Sequence, residues 1–237
     1  MLPVANLLLR RLPRKDYLHL LPGLTPVTLK FGHILYEPGK AMRDVYFPNP
    51  CLISLLTLSD GRLALEVGMV GPEGLLGVPL ALGIGVSPVR ALVQGEGTAL
   101  RMSKARFLAE LGSSAPLRKV VLAYVHALMG QISLTAACNR FHVVGGRLAR
   151  WLLMTRDRVG SGEFRMTHEF LSHMLGVRRE GVSEAAAGFQ ERKLIEYSRG
   201  RMRILDHAGL EAAACSCYRP TRRATAVDIP RWRPDGA

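Results

Sequence analysis

The stretch 167–190, THEFLSHMLGVRREGVSEAAAGFQ, decides the fold of the C-terminal part of the chain. Its apolar residues fall where two short crossed helices would share a core: Leu171, Leu175, Val177, Val182 and Ala185. Ser172 is small where the second helix must pass close to the first. Gly176 lies between the two periodic runs, where a backbone with positive φ can turn the chain sharply. The stretch therefore predicts a helix, a tight turn and a second helix.

The second predicted helix carries long polar side chains at its N-terminal end. In helix-turn-helix proteins this end enters the major groove of DNA. The candidate contacts to base edges are Arg178, Arg179, Glu180, Ser183 and Glu184. These two helices alone leave an alternative open, namely an ordinary helical hairpin whose arginines are solvated.

The chain downstream of the two helices alternates polar and apolar residues with period two. Residues 194–205, LIEYSRGRMRIL, predict two short strands around a glycine turn. A basic hairpin in this place is a wing, which would contact phosphates and position the domain without specifying bases. The candidate phosphate contacts are Thr167, His168, Ser198, Arg199, Arg201 and Arg203. Helices and wing together predict a winged helix-turn-helix DNA-binding domain over residues 143–218.

Composition narrows the class of protein without locating its function. The 237-residue chain has a net charge of +13 and a pI near 10.3, which favours a polyanionic partner such as double-stranded DNA. The N-terminal residues lack the pattern of a secretory signal, and we expect no apolar run to reach the length of a membrane span. We therefore expect a cytoplasmic protein that makes no contact with a membrane.

Residues 27–102 have the pattern of an antiparallel β-barrel or jelly roll. Short runs rich in apolar and β-branched residues alternate with Pro, Gly, Asn or Asp, and Asp60-Gly61 is a hairpin signal. No helical crossovers separate these runs, so a parallel sheet is not favoured. We predict a barrel domain over residues 1–115 and, for the chain as a whole, an α+β fold.

The segment from Leu117 to Phe141 contains no proline and one glycine, which predicts a long helix. Residues at spacings of four and three along it predict a seam with a partner helix. These are Leu117, Val121, Tyr124, Leu128, Gln131 and Thr135. The alternative is a helix that packs only on the barrel, but a winged reader usually binds a two-fold site. We assign residues 116–142 to a dimerisation helix and hinge, and predict that the basic tail 219–237 is disordered.

Barrel, long helix and winged helix-turn-helix in this order resemble the Crp/Fnr family of bacterial transcription regulators, over roughly residues 6–218. The motifs that carry the resemblance are YEPG (36–39), EVGMVGPEGLLGVPLALG (66–83), the block 138–153 and LGVRREGVSEAA (175–186). The resemblance implies a cyclic-nucleotide-binding-like barrel that senses a signal, and a homodimer that reads a pseudo-palindromic operator. An activator of this type would also contact RNA polymerase, through a surface that the sequence does not locate.

The resemblance also implies roles for two residues of the second helix. Arginine and glutamate at the positions of Arg179 and Glu180 contact base edges in relatives that read a GTG-type half-site. The chemistry agrees, because arginine can bind guanine bidentately and glutamate can accept from cytosine. Some members carry an arginine at the position of Glu184, so the full operator is not carried over.

The sequence leaves the small-molecule effector of the barrel unidentified. Members that bind cyclic nucleotides carry Gly-Glu followed by Arg-Ser/Thr-Ala, since a buried phosphate needs a charged partner and short donors. The corresponding residues here are Gly71, Glu73, Gly74, Leu75, Arg90 and Ala91. Pro72 interrupts the first half, and no hydroxyl residue follows Arg90 in the second. A cyclic nucleotide stays open as an effector, but a Gly/Pro-rich turn that closes the barrel is favoured.

Other cofactors and functions find less support in the sequence. Iron-sulfur members gather cysteines near the N-terminus, whereas none precedes Cys51 here. Cys215 and Cys217 form a Cys-X-Cys pair, which is more often one buried and one exposed cysteine than a redox or metal pair, so no metal site is predicted. A cupin-like enzyme would need clustered ligands, yet His33 is the only histidine in the barrel stretch. A nucleotide-binding module that regulates a protein partner is the remaining alternative to a DNA-binding regulator.

Overall fold

A computed structural model of the protein describes residues 5–59 and 63–227. In its N-terminal half, seven described strands pair in antiparallel fashion. The strands are β1 (Thr25–Leu29), β2 (Ile34–Tyr36), β3 (Asp44–Pro48), β4 (Leu52–Ser59), β5 (Leu63–Val70), β6 (Arg90–Gly95) and β7 (Gly97–Ser103). They pair in two sheets of order β1-β7-β3 and β2-β6-β4-β5. The predicted antiparallel arrangement is confirmed, while the predicted turn at Asp60-Gly61 lies outside the described residues.

Short helices accompany the barrel, and a long helix leaves it. The helices of this half are α1 (Arg14–Leu20), α2 (Val78–Ala81), α3 (Lys104–Ser113) and α4 (Ala115–Phe141), with 3-10 turns at Leu9–Arg11 and Leu21–Gly23. Ser114 separates α3 from α4, and its hydroxyl accepts from the backbone N–H of Leu117 at 3.2 Å. Pro116 follows in the first turn of α4, where its missing N–H has no helical partner to lose.

The C-terminal half is a three-stranded sheet among five helices. Its elements are α5 (Val144–Val159), β8 (Glu163–Arg165), α6 (His168–Leu175), α7 (Arg179–Glu191), β9 (Ile195–Ser198), β10 (Arg201–Ile204), α8 (His207–Ala213) and α9 (Tyr218–Val227). The predicted pair of helices around Gly176 and the predicted hairpin are both confirmed. The prediction of disorder from Arg219 onwards was wrong for part of the tail, because α9 packs on α4 and α5. Residues 228–237 lie outside the described chain.

Two hydrophobic clusters form the core, and the second contains residues of both halves. One apolar cluster fills the barrel and includes residues of α4. The second contains residues of α5, α6, α7 and α8 together with Leu52, Leu56 and Met69 of the barrel. Strand β4 is buried along residues 52–56 because its two faces serve different clusters. The C-terminal half therefore packs on the outer face of β4 and β5, and a run of apolar residues without alternation is the expected signature of such a strand.

The predicted dimer seam of α4 faces the interior of this chain. Leu117, Val121, Tyr124 and Leu128 belong to the barrel cluster. The side-chain amide of Gln131 accepts from the Met69 N–H at 2.6 Å and donates to the Met69 carbonyl at 3.2 Å, as a neighbouring strand would. Five of the six seam residues thus face the barrel, because a spacing of four and three does not distinguish a barrel partner from a second helix.

Helix α4 is also long and apolar enough to meet a length-and-composition test for a membrane span, contrary to our expectation that no run would be. Its best window has a mean hydropathy of 1.5, and 44% of that window is buried inside the protein. Burial against the barrel accounts for the apolar residues on one face, since Val120, Val121 and Tyr124 lie in the core.

Candidate nucleic-acid interface

Helices α6 and α7 form the helix-turn-helix unit. The Thr167 hydroxyl caps α6 by accepting from the Phe170 N–H at 3.1 Å. Gly176 ends α6 with a φ of +61°, and the N–H of Val177 returns to the Ser172 carbonyl at 3.0 Å. Only a residue without a Cβ adopts this left-handed conformation at little cost. The turn delivers the chain directly into the N-terminus of α7.

The N-terminal turn of α7 is the exposed end of the unit. Arg178 occupies the capping position without a side-chain hydrogen bond to the helix, and Arg179 and Glu180 follow in the first turn. All three side chains are exposed, as is that of Glu184 one turn later. The free N–H groups of such a helix end carry partial positive charge, which attracts phosphate. The structure thus places four of the five predicted base contacts on solvent-facing positions.

Two predicted contact residues are only partly exposed and contact other residues of the domain. His168 Nδ1 is 2.9 Å from the hydroxyl of Ser183, and the imidazole stacks on Tyr197 at 4.2 Å between ring centroids. Burial, and then the nearby charge of Arg179, lower the pKa of His168. A neutral His168 binds phosphate less well than a cation would. His168 connects α6 to α7 through Ser183 and to β9 through Tyr197. His168 and Ser183 therefore help to position the recognition helix α7.

The wing is a tight hairpin with a basic tip. Arg199 and Gly200 connect β9 to β10 with φ values of +49° and +77°, the two left-handed residues of a type I′ turn. Arg201 lies 3.8 Å from Glu163, and the guanidinium of Arg203 donates to Glu196 at 2.9 Å. The side chains of Ser198 and Arg199 are exposed at the tip. Arg199 is therefore the predicted phosphate contact whose position is best suited to that role.

The same region matches a known family. Residues 146–213 match the model of the Crp-like helix-turn-helix domain, a span that includes α6, α7 and the wing. The chain carries a Crp-like helix-turn-helix domain. The predicted resemblance to the Crp/Fnr regulators is confirmed in this domain, while a comparison with curated proteins gave no match.

Solved structures of Crp/Fnr regulators share the fold of 79–90% of this chain. A protein from Eubacterium rectale assigned to the Crp/Fnr family is 18% identical, with a TM-score of 0.68 over 90% of this chain and 98% of that one. A CRP-family transcriptional regulator from Thermus thermophilus is 20% identical, with a TM-score of 0.67 over 79% and 96%. The c-di-GMP responsive global regulator CLP from Xanthomonas campestris is 15% identical, with a TM-score of 0.65 over 81% and 99%. At these identities the likeness concerns the fold.

The residues at the positions of the family's effector cassette have other partners here. The buried carboxylate of Glu73 accepts from Arg158 Nε of α5 at 2.8 Å. Arg90 pairs instead with Glu37 at 3.0 Å, while Leu75 and Ala91 lie fully buried in the barrel core. Glu73 and Arg90, which come from the two halves of the predicted pocket, are therefore paired with different residues.

The glycines of that cassette serve close packing. A side chain at Gly74 would overlap the phenol of Tyr124 on α4, and one at Gly71 would meet Arg158. Both glycines are thus needed for the close approach of α4 and α5 to the barrel.

Sequence reasoning missed the residues that join the two halves. Trp151 on α5 donates from its indole to the buried carboxylate of Glu66 on β5. A second link is the contact between the tilted rings of Phe31 and Phe170, with 6.1 Å between ring centroids. A glutamate in the middle of the apolar run 63–70 was the available signal, because a carboxylate in a buried strand needs a partner.

Proposed function

We propose that this protein is a homodimeric transcription regulator that reads a pseudo-palindromic DNA operator through the N-terminal turn of α7. The observation that carries the proposal is the exposed group Arg178, Arg179 and Glu180 at a helix end, in a domain whose wing has the exposed Arg199 at its tip. Arg179 would grip guanine and Glu180 would accept from cytosine. Such contacts specify sequence, whereas Arg199 at the wing tip would bind phosphate and set the register.

A second copy would add on the exposed face of α4. Residues on this face recur at spacings of four and three, as a two-helix seam requires. They are Leu122, His126, Met129, Ser133, Ala136 and Arg140, all exposed. Met129 is 63% exposed and Leu122 47%, and the small Ser133 and Ala136 would let two helices approach closely. This seam replaces the one predicted from the sequence.

The proposed regulator works in the cytoplasm and acts by binding, with no chemical step. The barrel would sense an effector and α4 would transmit its state to the spacing of the two readers, as a shift between two dimer geometries. Contact with RNA polymerase and the identity of the effector stay predictions.

The test is selection of bound sequences from random duplex DNA by the purified full-length protein, at fixed salt. We expect a two-fold-symmetric motif. Arg179→Ala should weaken binding to that motif by about 1–3 kcal/mol and relax the preference at one base pair of each half-site. Arg192→Ala is the matched control, because Arg192 is exposed at the opposite end of α7. It should leave the motif and the affinity unchanged.

Two results would refute the proposal. One is the absence of any sequence preference by a folded protein. The other is an equal loss of affinity in Arg179→Ala and Arg192→Ala, which would indicate binding through net charge alone. A regulator that acts only on a protein partner would tolerate both substitutions.

A further inference from the structure

Four potential metal ligands meet where α4 ends. They are Cys138, His142, Cys215 and Cys217, which we call the thiol-imidazole cluster. One ligand atom from each lies within 4.8 Å of all the others. The sulfur atoms of Cys138 and Cys215 are 3.4 Å apart, and Cys217 Sγ is 3.6 Å from His142 Nδ1. The sequence predicted no metal site here. Cys138 and His142 complete the ligand set, but they are far from Cys215 and Cys217 in the sequence.

The two shortest of these separations, 3.4 and 3.6 Å, are close to those around one tetrahedral ion. Bonds of about 2.0–2.3 Å from Zn²⁺ to nitrogen and sulfur place neighbouring ligand atoms about 3.3–3.8 Å apart. The Cys138 and Cys215 sulfurs are well beyond the ~2.05 Å of a disulfide bond. An iron-sulfur cluster would spread its ligands over several metal atoms, so a single ion fits the compact group better. Three cysteines with one histidine are also a ligand set typical of structural zinc.

The surrounding backbone holds the ligands in place. Cys138 lies in the last turn of α4, and the Cys215 N–H donates to the Gly146 carbonyl at 3.1 Å. The carbonyl of Cys217 accepts from the hydroxyl of Thr221 in α9 at 2.8 Å. Cys138 and Cys217 are buried, while His142 and Cys215 are partly exposed. The site is thus preformed by helices on three sides and has a path for an ion to enter.

Positive charge lies beside the sulfurs. Arg147 and Arg150 are 7% exposed, and the Nε atoms of both have no hydrogen-bond partner among the described residues. Arg147 and Arg150 line the same small cavity as Cys138. Three thiolates around a divalent ion leave one negative charge, which these guanidinium groups would balance. Buried cations with unused donors therefore point to an anionic neighbour.

We propose that the thiol-imidazole cluster binds one zinc-class divalent cation, which fastens the end of α4 to the segment between α8 and α9. Binding displaces the thiol protons and needs no oxidant or reductant. The ion would hold the DNA-binding half on α4 by a link that does not depend on the barrel. The site stands on its own geometry and does not require the proposed function.

Metal content of the full-length protein tests the proposal first. Protein purified without chelator should carry about one zinc per chain by plasma mass spectrometry, as one tetrahedral site requires. Cys215→Ser and Cys217→Ser should lose that metal. Cys51→Ser is the control, because Cys51 lies in the barrel and donates to the Gly95 carbonyl at 3.1 Å. It should keep the full complement.

Cobalt reconstitution gives a second readout that does not depend on any variant folding. Wild-type protein stripped by a chelator should bind Co²⁺ and show the intense visible bands and ultraviolet sulfur-to-metal charge transfer of a tetrahedral thiolate site. His142→Ala should weaken Co²⁺ binding by more than the roughly 10–100-fold typical of changes outside the ligand shell. Zinc added afterwards should abolish the bands.

Three results would overturn the site. The first is metal content in the cysteine variants equal to that of Cys51→Ser. The second is wild-type protein that binds Co²⁺ without thiolate charge transfer. The third is freshly purified protein that is lighter by two hydrogens, carries a Cys138–Cys215 disulfide and takes up Co²⁺ neither before nor after reduction. That result would assign the cluster to thiol redox chemistry.

Discussion

The indole Nε1 of Trp151 donates a hydrogen bond of 2.9 Å to Glu66 Oε1, and this bond joins α5 to the barrel strand β5. Glu66 is only 6% exposed, and Ser54 donates to its second oxygen at 2.6 Å. Burial raises the pKa of Glu66 to about 7, although the hydrogen bonds from Ser54 and Trp151 and the charges of Arg150 and Arg158 oppose the shift. The contact between barrel and reader is therefore sensitive to protons near neutral pH.

The first prediction is a fall in stability with rising pH. The carboxyl group of Glu66 has a higher pKa in the folded protein than in the unfolded chain, so the folded state holds the proton more tightly. The free energy of unfolding should decrease from about pH 4.5 to about pH 7 and level off above it. Urea unfolding across this range should show the decrease in wild type, while Glu66→Gln should remove most of it.

Glu196→Gln is the control for this experiment. Glu196 pairs with Arg203 at the surface, where its side chain is 55% exposed. Solvent screening makes such pairs contribute little to stability, so this variant should keep the wild-type pH profile. Equal slopes in wild type and Glu66→Gln would mean that Glu66 does not titrate in this range.

The second prediction concerns the buried pair of Arg158 with Glu73. Both side chains are less than one tenth exposed, at 5% and 8%, so removal of one partner leaves a buried charge. Arg158→Ala should cost about 3–5 kcal/mol of unfolding free energy, whereas Arg203→Ala at the exposed pair should cost about 0–1 kcal/mol. Chemical denaturation of both variants measures the difference. A double variant, Glu73→Met with Arg158→Met, should recover most of the loss, and similar costs for both alanine variants would contradict burial of the pair.

Local pattern was enough to predict the parts of the fold that depend on neighbours in sequence. The turn at Gly176 and the wing around Gly200 were predicted because a left-handed residue and period-two alternation are visible within a few residues. Contacts between segments that are distant in the sequence could not be predicted in this way. Trp151 is 85 positions from Glu66, and Cys138 is 77 from Cys215, so no spacing rule connects them.

Helix α4 shows why the sequence alone could not assign the partners of the predicted site residues. The periodicity of apolar residues identified one face of α4. Packing on a barrel and packing on a second helix require the same residue spacing, and in the structure this face packs on the barrel. The effector residues were assigned by position in a motif. Glu73 is instead neutralised by Arg158 on α5, which is far away in sequence.

The third prediction is a steric test of the contact between Gly74 and Tyr124. A methyl group at position 74 would overlap the phenol ring, so Gly74→Ala should destabilise the protein by about 1–3 kcal/mol. The loss should shrink in a Tyr124→Ala background, which a double-mutant cycle measures. Gly112→Ala is the control of opposite sign, because that glycine lies in α3 with open space around it. It should stabilise the protein by about 0.5–1 kcal/mol.

The last prediction tests the exposed seam of α4. Met129 is at its centre and 63% exposed, so Met129→Glu would place two like charges opposite each other in a dimer without disturbing the monomer core. We expect sedimentation equilibrium to show a shift from dimer to monomer, and binding to the full operator to fall towards half-site affinity. Leu82→Glu changes an equally apolar residue, 55% exposed on the barrel, and should stay dimeric. If Met129→Glu stays dimeric, the dimer interface lies elsewhere. The two copies of α7 must lie in successive major grooves, so another surface would then set the distance between them.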